Sequence, residues 1–283
     1  MRIITAKTAG FCFGVEKAVN TVYKQIEDNS KKKIYTFGPI IHNAEVGKDL
    51  ALKGVEIIEE TQDLLKVKDG IVIIRSHGVP KVVYDILDEN HISYVDATCP
   101  FVKRIHKIVK DKTDRDEYII IIGNANHPEV IGIQGWCNKN VSIIQTASQA
   151  QAFVLPNLDK KVNIVSQTTF NLNKFKDFVE IINKKGYNVS VCNTICLATK
   201  ERQEEAMEIA SNVDAMIVIG DKHSSNTQKL YEICKSVCKS TYYIQTLDDF
   251  DLNQLKSVET VGITAGASTP NKIIEEVQKG CQI

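Results

Sequence analysis

The stretch Ile92-Ser93-Tyr94-Val95-Asp96-Ala97-Thr98-Cys99-Pro100 joins a strand-like run to a cysteine, and an amphipathic stretch follows it. The same order of features surrounds Cys12 and Cys196, so the three cysteines recur at intervals of 87 and 97 residues (12 to 99 and 99 to 196). A threefold internal repeat that supplies one thiol per repeat can bring three thiolates to one point. Three thiolates at one point can hold a metal centre in which one coordination position is left without a protein ligand.

Composition and charge narrow the class of protein. The chain has 283 residues, of which 43% are hydrophobic and 25% charged, as is usual for a globular protein with two or three domains. A formal net charge of zero gives no electrostatic basis for binding nucleic acid or an anionic membrane. No apolar run approaches the roughly 20 residues of a membrane span, and the N-terminal run lacks a signal-peptide pattern. We therefore expect a cytoplasmic protein whose eight cysteines serve metal or redox chemistry rather than disulfides.

Strand-like and helix-like stretches alternate along the chain. The strand-like runs are almost continuously apolar, which is typical of parallel strands covered on both faces: 71–74, 118–122, 162–165, 216–219 and 261–264. Amphipathic stretches of helical period lie between such runs, for example 15–26, 102–110 and 199–211. This alternation predicts an α/β fold.

The repeat includes more than the cysteines. Each cysteine is followed by a loop that starts with glycine, and then by a strand that ends in small polar residues. The glycine loops are 38–43, 123–128 and 220–226, and the polar clusters are 75–78, 166–169 and 265–269. The third repeat lacks a last strand, which the N-terminal run 2–5 could supply. We predict three similar α/β domains, in pseudo-threefold arrangement around one centre: 14–98, 99–192 and 193–283, the last completed by 1–13.

The polar loops precede predicted helices and form a candidate anion site. Pro80, Pro128 and Pro270 suit a first helical turn, and the predicted N-caps are Asn43, Ser224 or Ser225, and Ser268 or Thr269. Ligands of α/β proteins bind beyond the carboxyl ends of strands, where helix N-termini offer free N–H groups. We therefore predict a phosphate or diphosphate site with these further donors: His42, His77, His127, Thr168, Ser224, Ser225 and Ser268.

Other residues of the loops and the remaining cysteines allow alternative interpretations. Glu129 is either a proton carrier or a first-turn glutamate that complements the helix dipole. His223 lies out of register with the other loop histidines and is interpreted as structural. Cys234 and Cys238 are predicted to face the core as small apolar residues. Cys192 lies four residues before Cys196, but the repeat favours Cys196 as the ligand.

The spacing of the cysteines favours one kind of metal centre. Zinc sites use short Cys-x₂₋₄-Cys pairs and four protein ligands, which three widely separated cysteines do not supply. A 4Fe–4S cluster normally takes four cysteines, so a cluster with three leaves one iron open as a Lewis acid. The residues alone thus predict an iron–sulfur enzyme that acts on a small molecule carrying phosphate.

The same motifs carry a family resemblance. The chain resembles the 4-hydroxy-3-methylbut-2-enyl diphosphate reductase family, and the resemblance extends from residue 8 to residue 268. Its motifs are 10–15 (GFCFGV), 38–43 (GPIIHN), 75–79 (RSHGV), 96–100 (DATCP), 127–129 (HPE), 166–169 (SQTT), 193–196 (NTIC), 224–226 (SSN) and 264–268 (TAGAS).

The resemblance implies a reaction and roles for the site residues. It implies an oxidoreductase for the last step of the non-mevalonate isoprenoid pathway, which removes the allylic hydroxyl of the substrate by two-electron reduction. It implies a 4Fe–4S cluster on Cys12, Cys99 and Cys196, whose fourth iron binds the hydroxyl oxygen. It implies Glu129 as proton donor, assisted by Thr168 and His127. The implied diphosphate site comprises His42, His77, Ser224, Asn226 and Ser268, with Ser225 close by.

The implied partners are the allylic diphosphate and an external one-electron donor such as ferredoxin or flavodoxin, with no nucleic acid and no membrane. Two alternatives stay open from the sequence. One is another threefold enzyme with three cluster cysteines, such as quinolinate synthase, which the predicted diphosphate site argues against. The other is a non-catalytic iron–sulfur sensor of a phosphorylated effector, which would not need Glu129.

Overall fold

A computed structural model describes residues 1–282, in which strands and helices alternate as the sequence predicts. Two 3₁₀ turns, Leu247–Asp249 and Leu252–Leu255, lie near the C-terminus. The strands in this range are β1 Arg2–Thr5, β2 Lys33–Phe37, β3 Glu56–Ile58, β4 Gly70–Ile74, β5 Tyr94–Asp96, β6 Tyr118–Ile122, β7 Val141–Ile144, β8 Val162–Ser166, β9 Val189–Val191, β10 Ala215–Ile219, β11 Thr241–Ile244 and β12 Thr260–Ala265. The helices are α1 Phe13–Asp28, α2 Ala44–Leu52, α3 Thr61–Leu64, α4 Lys81–Glu89, α5 Pro100–Thr113, α6 Pro128–Gln134, α7 Ala147–Ala152, α8 Leu172–Asn183, α9 Leu197–Ala210, α10 Ser225–Val237 and α11 Asn271–Gly280.

The strands form three parallel sheets of four strands each, which confirms the predicted α/β fold. Their strand orders are β3-β2-β4-β5, β7-β6-β8-β9 and β1-β12-β10-β11. In the last sheet, β1 pairs in parallel with β12, from Arg2 opposite Thr260 to Thr5 opposite Ile263. The N-terminal strand thus supplies the strand that the third repeat lacks.

The chain divides into two compact units. The terminal unit comprises residues 1–16, 41–49 and 196–283 and contains the sheet with β1. The central unit comprises residues 17–40 and 50–195 and contains the other two sheets. The three domain ranges that the repeat suggests stay a prediction.

The central strands of the sheets are buried on both faces because side chains alternate along a strand. In the terminal unit, Ile217 and Ile219 of β10 pack into one apolar cluster and Met216 and Val218 into another. In the central unit, β6 divides its isoleucines between two clusters in the same way. This double coverage explains why these runs are continuously apolar. No helix within residues 1–282 is both long and apolar enough to cross a membrane.

The helix starts differ from the prediction at two prolines. Pro128 is the first residue of α6, as predicted, but Pro80 and Pro270 lie one residue before α4 and α11 with extended backbone angles. The predicted capping of α11 by Ser268 or Thr269 is therefore wrong. Proline fixes φ but leaves ψ free, so it suits the residue before a helix as well as the first helical residue.

Candidate functional site

The loop that carries Cys99 in the central unit is held by Asp96. One oxygen of this carboxylate accepts a hydrogen bond from the Thr98 N–H at 2.9 Å, and the other forms an ion pair with Lys103 at 2.7 Å. Burial tends to raise the pKa of Asp96, but the bonds from Lys103 and Thr98 outweigh it and lower the pKa. The Cys99 N–H donates to the Ser76 carbonyl at 3.0 Å. The thiol-bearing loop is thereby fixed to the residue that precedes His77.

Glu129 lies at the start of α6 and is 2% exposed. Its Oε1 accepts a hydrogen bond from the Thr168 N–H at 2.6 Å, and its Oε2 is 2.7 Å from the Thr168 Oγ1. Burial raises the pKa of Glu129 to about 7, although both bonds from Thr168 act to lower it. A carboxyl with this pKa is protonated in part of the population at neutral pH, which suits a general acid.

The Thr168 hydroxyl accommodates both protonation states of Glu129. It donates to the carboxylate, and it can accept from the protonated carboxyl, because a hydroxyl carries both a donor and acceptors. The Thr168 N–H donates to Oε1 in either state. Glu129 can therefore lose a proton and regain it without losing its two contacts.

His127 holds the backbone at the start of the same helix, α6. It is the N-cap of α6, and its Nδ1 accepts a hydrogen bond from the Glu129 N–H at 3.1 Å. An accepting Nδ1 carries no proton, so in this geometry the neutral ring bears its proton on Nε2. The ring contacts that of His77 edge to face, with centroids 5.3 Å apart. These contacts bring His77, His127, Glu129 and Thr168 together in the central unit.

The turn after His77 packs on a pair of aromatic rings that the sequence analysis did not identify. Gly78 has φ +70°, and a Cβ at this position would lie 2.5 Å from Cε1 of His106. His106 stacks on Trp136 at 5.3 Å, and the Trp136 indole N–H donates to the Val79 carbonyl at 2.9 Å. Burial lowers the pKa of His106 to about 4, so this support is uncharged at neutral pH.

In the terminal unit, α9 connects the loops of two candidate ligands. Cys196 is the N-cap of α9. Glu205, in the third turn of this helix, accepts hydrogen bonds from the Lys7 N–H at 2.8 Å and the Thr8 N–H at 2.9 Å. The Thr8 hydroxyl adds a third bond at 2.5 Å. One glutamate of the helix that starts at Cys196 thus holds the chain four residues before Cys12.

The predicted anion donors of the terminal unit surround the start of α10. Ser224 is the N-cap and accepts from the Thr227 N–H at 3.3 Å, while the Ser268 hydroxyl donates to the Ser224 Oγ at 3.3 Å. Asn226 uses its Oδ1 to accept from the Ala267 N–H at 2.9 Å. Its amide Nδ2 is buried and has no hydrogen-bond partner within residues 1–282. A buried donor left without a partner is costly, so this amide is poised for a ligand acceptor.

Asp221 joins the loop that holds His42 to the loop before α10. Its Oδ2 accepts from the Ala44 N–H at 3.1 Å and its Oδ1 from the His223 N–H at 2.7 Å. His42 is half-buried two residues before Ala44, whereas the His223 side chain is exposed. Ser225 is the first residue of α10 and is half-buried. Each unit therefore assembles part of the predicted residue set.

Burial separates the candidate ligand cysteines from three of the other five, Cys234, Cys238 and Cys281, whereas Cys137 and Cys192 are half-buried as well. Cys12, Cys99 and Cys196 are half-buried, and the last two are N-caps of helices, where the dipole stabilises a thiolate. Cys234 and Cys238 are buried in an apolar cluster, as predicted. Burial raises the pKa of Cys137 and of Cys234 to about 12, so neither forms a thiolate readily.

Comparison with known proteins gives a consistent result. Residues 3–282 match the family described as LytB protein. The chain is 47% identical over 280 residues to 4-hydroxy-3-methylbut-2-enyl diphosphate reductase of Thermoanaerobacter sp. strain X514, covering 99% of this chain and 96% of the relative. It is 44% identical over 277 residues to the reductase of the same name from Clostridioides difficile strain 630, at 98% coverage of each chain.

Two solved structures are also similar. One is E-1-hydroxy-2-methyl-but-2-enyl-4-diphosphate reductase from Plasmodium falciparum, with a TM-score of 0.92, 31% identity, and coverage of 99% of this chain and 87% of that one. The other is (E)-4-hydroxy-3-methyl-but-2-enyl diphosphate reductase, described as the terminal enzyme of the non-mevalonate pathway. Its TM-score is 0.72 and its identity 40%, over 100% of this chain and 99% of that one.

Proposed function

We propose, because this chain belongs to the LytB protein family, that it reduces 4-hydroxy-3-methylbut-2-enyl diphosphate to isopentenyl diphosphate and dimethylallyl diphosphate. This is the last step of the non-mevalonate isoprenoid pathway. The observation in the structure that carries the proposal is the buried Glu129, whose pKa of about 7 suits an acid that delivers a proton to a leaving hydroxyl.

The reaction has a definite balance of atoms and electrons. The allylic C–O bond breaks, and its oxygen leaves as water after taking up one proton. Two electrons and a second proton form a C–H bond at one of two allylic carbons, which gives the two products. The protein must therefore supply an electron source, a proton at the oxygen and a fixed position for the diphosphate.

We assign the electron-transferring group to a 4Fe–4S cluster on Cys12, Cys99 and Cys196. The donor set fits, since these thiols are half-buried and lie at loops that precede helices, while Cys137 and Cys234 are disfavoured by their raised pKa. A cluster held by three cysteines supplies electrons and an iron with Lewis-acid character.

Substrate binding is assigned to a set of hydrogen-bond donors in the loops that precede helices. At the start of α10, Ser268 donates to Ser224 and Asn226 accepts from the Ala267 N–H. The buried Asn226 Nδ2 has no hydrogen-bond partner within residues 1–282 and so offers a donor to the diphosphate. The helix N-terminus adds its free N–H groups and positive dipole. We assign His42, His77 and Ser225 to the same diphosphate. Holding this group fixes the distance between the hydroxyl and the reacting groups.

Proton delivery is assigned to Glu129, with Thr168 and His127 as its supports. The protonated carboxyl gives its proton to the leaving oxygen, and the resulting carboxylate is stabilised by the N–H and hydroxyl of Thr168. His127 accepts from the Glu129 N–H and so fixes the backbone of the acid. Burial of the acid excludes water that would compete for the proton.

Electrons are assigned to an external one-electron donor of the ferredoxin or flavodoxin class, because the balance needs two electrons that the residues cannot supply. A cytoplasmic location is part of the same proposal, since thiols that serve as cluster ligands persist in a reducing compartment.

An anaerobic assay tests the function. Purified protein with a reconstituted cluster is reduced with methyl viologen and supplied with 4-hydroxy-3-methylbut-2-enyl diphosphate, and the products are separated by chromatography. We expect both five-carbon diphosphates, and no product from the same alcohol without its diphosphate. Absence of product from protein with a full iron content would contradict the proposal.

A further inference from the structure

A buried arginine on α9 is used by none of the roles described above. Arg202 is 3% exposed, and its Nε and Nη1 have no hydrogen-bond partner within residues 1–282. Removing a guanidinium from water is costly unless a negative charge or a set of acceptors compensates it. Its place in the core therefore calls for a partner.

Position on the helix brings Arg202 close to two of the candidate ligands. The helix begins directly after Cys196, and Arg202 lies on its buried face with Thr199 and Ala206. One residue before Ala206, Glu205 fixes the chain at Lys7 and Thr8, which leads into Cys12. Arg202 thus lies on the segment that joins the two cysteine loops of the terminal unit.

Two of the three negative groups that act on Arg202 are these cysteines. Burial is the largest influence and lowers the pKa of Arg202, whereas negative charges on Cys12, Cys196 and Glu205 raise it. The ordinary pKa of a guanidinium lies far above neutral pH, so the group is a cation at neutral pH. Glu205 is already engaged, since its two oxygens accept three hydrogen bonds from Lys7 and Thr8. Cys12 and Cys196 are the other two groups whose negative charge favours the charged form of Arg202.

We propose that Arg202 is the buried counter-charge of the cluster, a positioning residue that raises the reduction potential of the metal centre held by Cys12 and Cys196. This inference rests on the proposed function for the identity of the centre. Each one-electron reduction transfers an electron from the external donor to the cluster and adds one negative charge, with no bond formed or broken. A fixed cation nearby favours the state with the extra charge, and net charge around a cluster is one of the factors that set its potential.

The test uses a neutral variant and two controls in the full-length, cluster-loaded protein. Arg202→Met removes the charge and keeps a long apolar side chain, whereas Arg202→Lys keeps a charge at this position. Lys200→Met removes a cation from the exposed side of the same helix, where Lys200 pairs with Glu204 at 3.9 Å. The midpoint potential is measured by anaerobic dye-mediated titration, followed by electron paramagnetic resonance, so no turnover is needed.

We expect Arg202→Met to shift the midpoint to a more negative potential. At a fixed solution potential, the ratio of reduced to oxidised cluster should fall by at least about tenfold, because a one-electron couple follows the Nernst relation. In Lys200→Met and Arg202→Lys, the ratio of reduced to oxidised cluster at the same applied potential should stay within about twofold of the wild-type ratio.

Iron and sulfide content separate this role from packing. If Arg202→Met fails to retain the cluster while Arg202→Lys retains it at the wild-type midpoint, the requirement for charge is supported. A loaded Arg202→Met protein with the wild-type midpoint overturns the proposal, as does loss of the cluster or the same shift in both variants. Failure of the proposed function would give a different result. The wild-type protein would then form no five-carbon diphosphate in the product assay, although its cluster keeps the same midpoint potential.

Discussion

The carboxylate of Glu129 and the backbone and hydroxyl of Thr168 meet through two hydrogen bonds of 2.6 and 2.7 Å in a buried part of the central unit. A general acid must hold its proton near neutral pH and must also be stable as an anion after it has released the proton. Burial keeps a proton on the carboxyl up to a pH of about 7, and the two bonds from Thr168 stabilise the anion after the proton has left. Their arrangement gives the acid a pKa near neutral pH.

Replacing Glu129 with Gln removes the transferable proton and keeps the size of the side chain. We expect turnover to fall by about 10²- to 10⁴-fold, which is the usual contribution of a general acid, while the cluster absorption stays intact. The measurement is the anaerobic steady-state rate. Glu89→Gln, a change of the same chemistry at the exposed end of α4, should keep the full rate. Wild-type turnover in Glu129→Gln would contradict the assignment of the acid.

The pH dependence of the rate reports the Thr168 contact. The protonated form of Glu129 is the active one, so kcat/KM should decrease as pH rises through about 7. The hydroxyl of Thr168 lowers the pKa of Glu129, and its removal in Thr168→Val should therefore move this decrease to higher pH. Thr168→Ser keeps the hydroxyl and should keep the wild-type profile. A shift of the Thr168→Val profile to lower pH would contradict this account, because it would show that the hydroxyl stabilises the protonated carboxyl of Glu129 rather than the anion.

Asn226 offers a direct test of the anion site. Asn226→Asp keeps the oxygen that accepts from the Ala267 N–H but replaces the buried Nδ2 donor with a negative oxygen. The dissociation constant of inorganic diphosphate should rise about 10- to 100-fold, because a hydrogen bond to a charged group contributes roughly 1.5–3 kcal/mol.

Isothermal titration calorimetry measures the affinity without turnover. Asn20→Asp adds the same charge on the exposed face of α1 and serves as the control. Equal affinity of the Asn226→Asp and Asn20→Asp proteins would remove Asn226 from the diphosphate site.

Gly78 tests the support beneath His77. Alanine at this position is disfavoured by a φ of +70° and by contact with His106, so Gly78→Ala should lower the free energy of unfolding by about 1–3 kcal/mol. Gly47→Ala is the matched control, because Gly47 lies inside α2 with nothing within 4 Å of its Cβ position, and it should stabilise by about 0.5–1 kcal/mol. Thermal unfolding shows whether each variant is less or more stable than the wild type. A Gly78→Ala protein at least as stable as the wild type would contradict the close packing of Gly78 against His106.

Much of the fold could be predicted because local sequence carries it. Parallel strands buried on both faces need continuous apolar runs, and runs such as 118–122 and 216–219 show this plainly. Repetition added long-range information, since the lack of a last strand in the third repeat predicted that the N-terminal run could supply it, and β1 does pair with β12 of that sheet. Helix starts were less certain, because Pro80 and Pro270 suit two neighbouring positions equally well.

The supporting residues of the site could not be predicted in the same way. Glu205 and His106 lie inside helices, outside any motif, and each contacts a loop far away in sequence. Their roles arise from tertiary packing, which spacing alone does not encode. Glu129 was identifiable because it lies within a repeated loop, but its burial and raised pKa became visible only in the structure.

The assignment of three ligands among eight cysteines is the central claim, and iron content tests it most directly. Single serine variants are compared at Cys12, Cys99 and Cys196, with Cys192→Ser as the matched control four residues from Cys196. We predict that each of the three variants loses the visible absorption of the cluster and most of its iron, whereas Cys192→Ser keeps both. Retention of the cluster by Cys196→Ser together with its loss in Cys192→Ser would contradict the account.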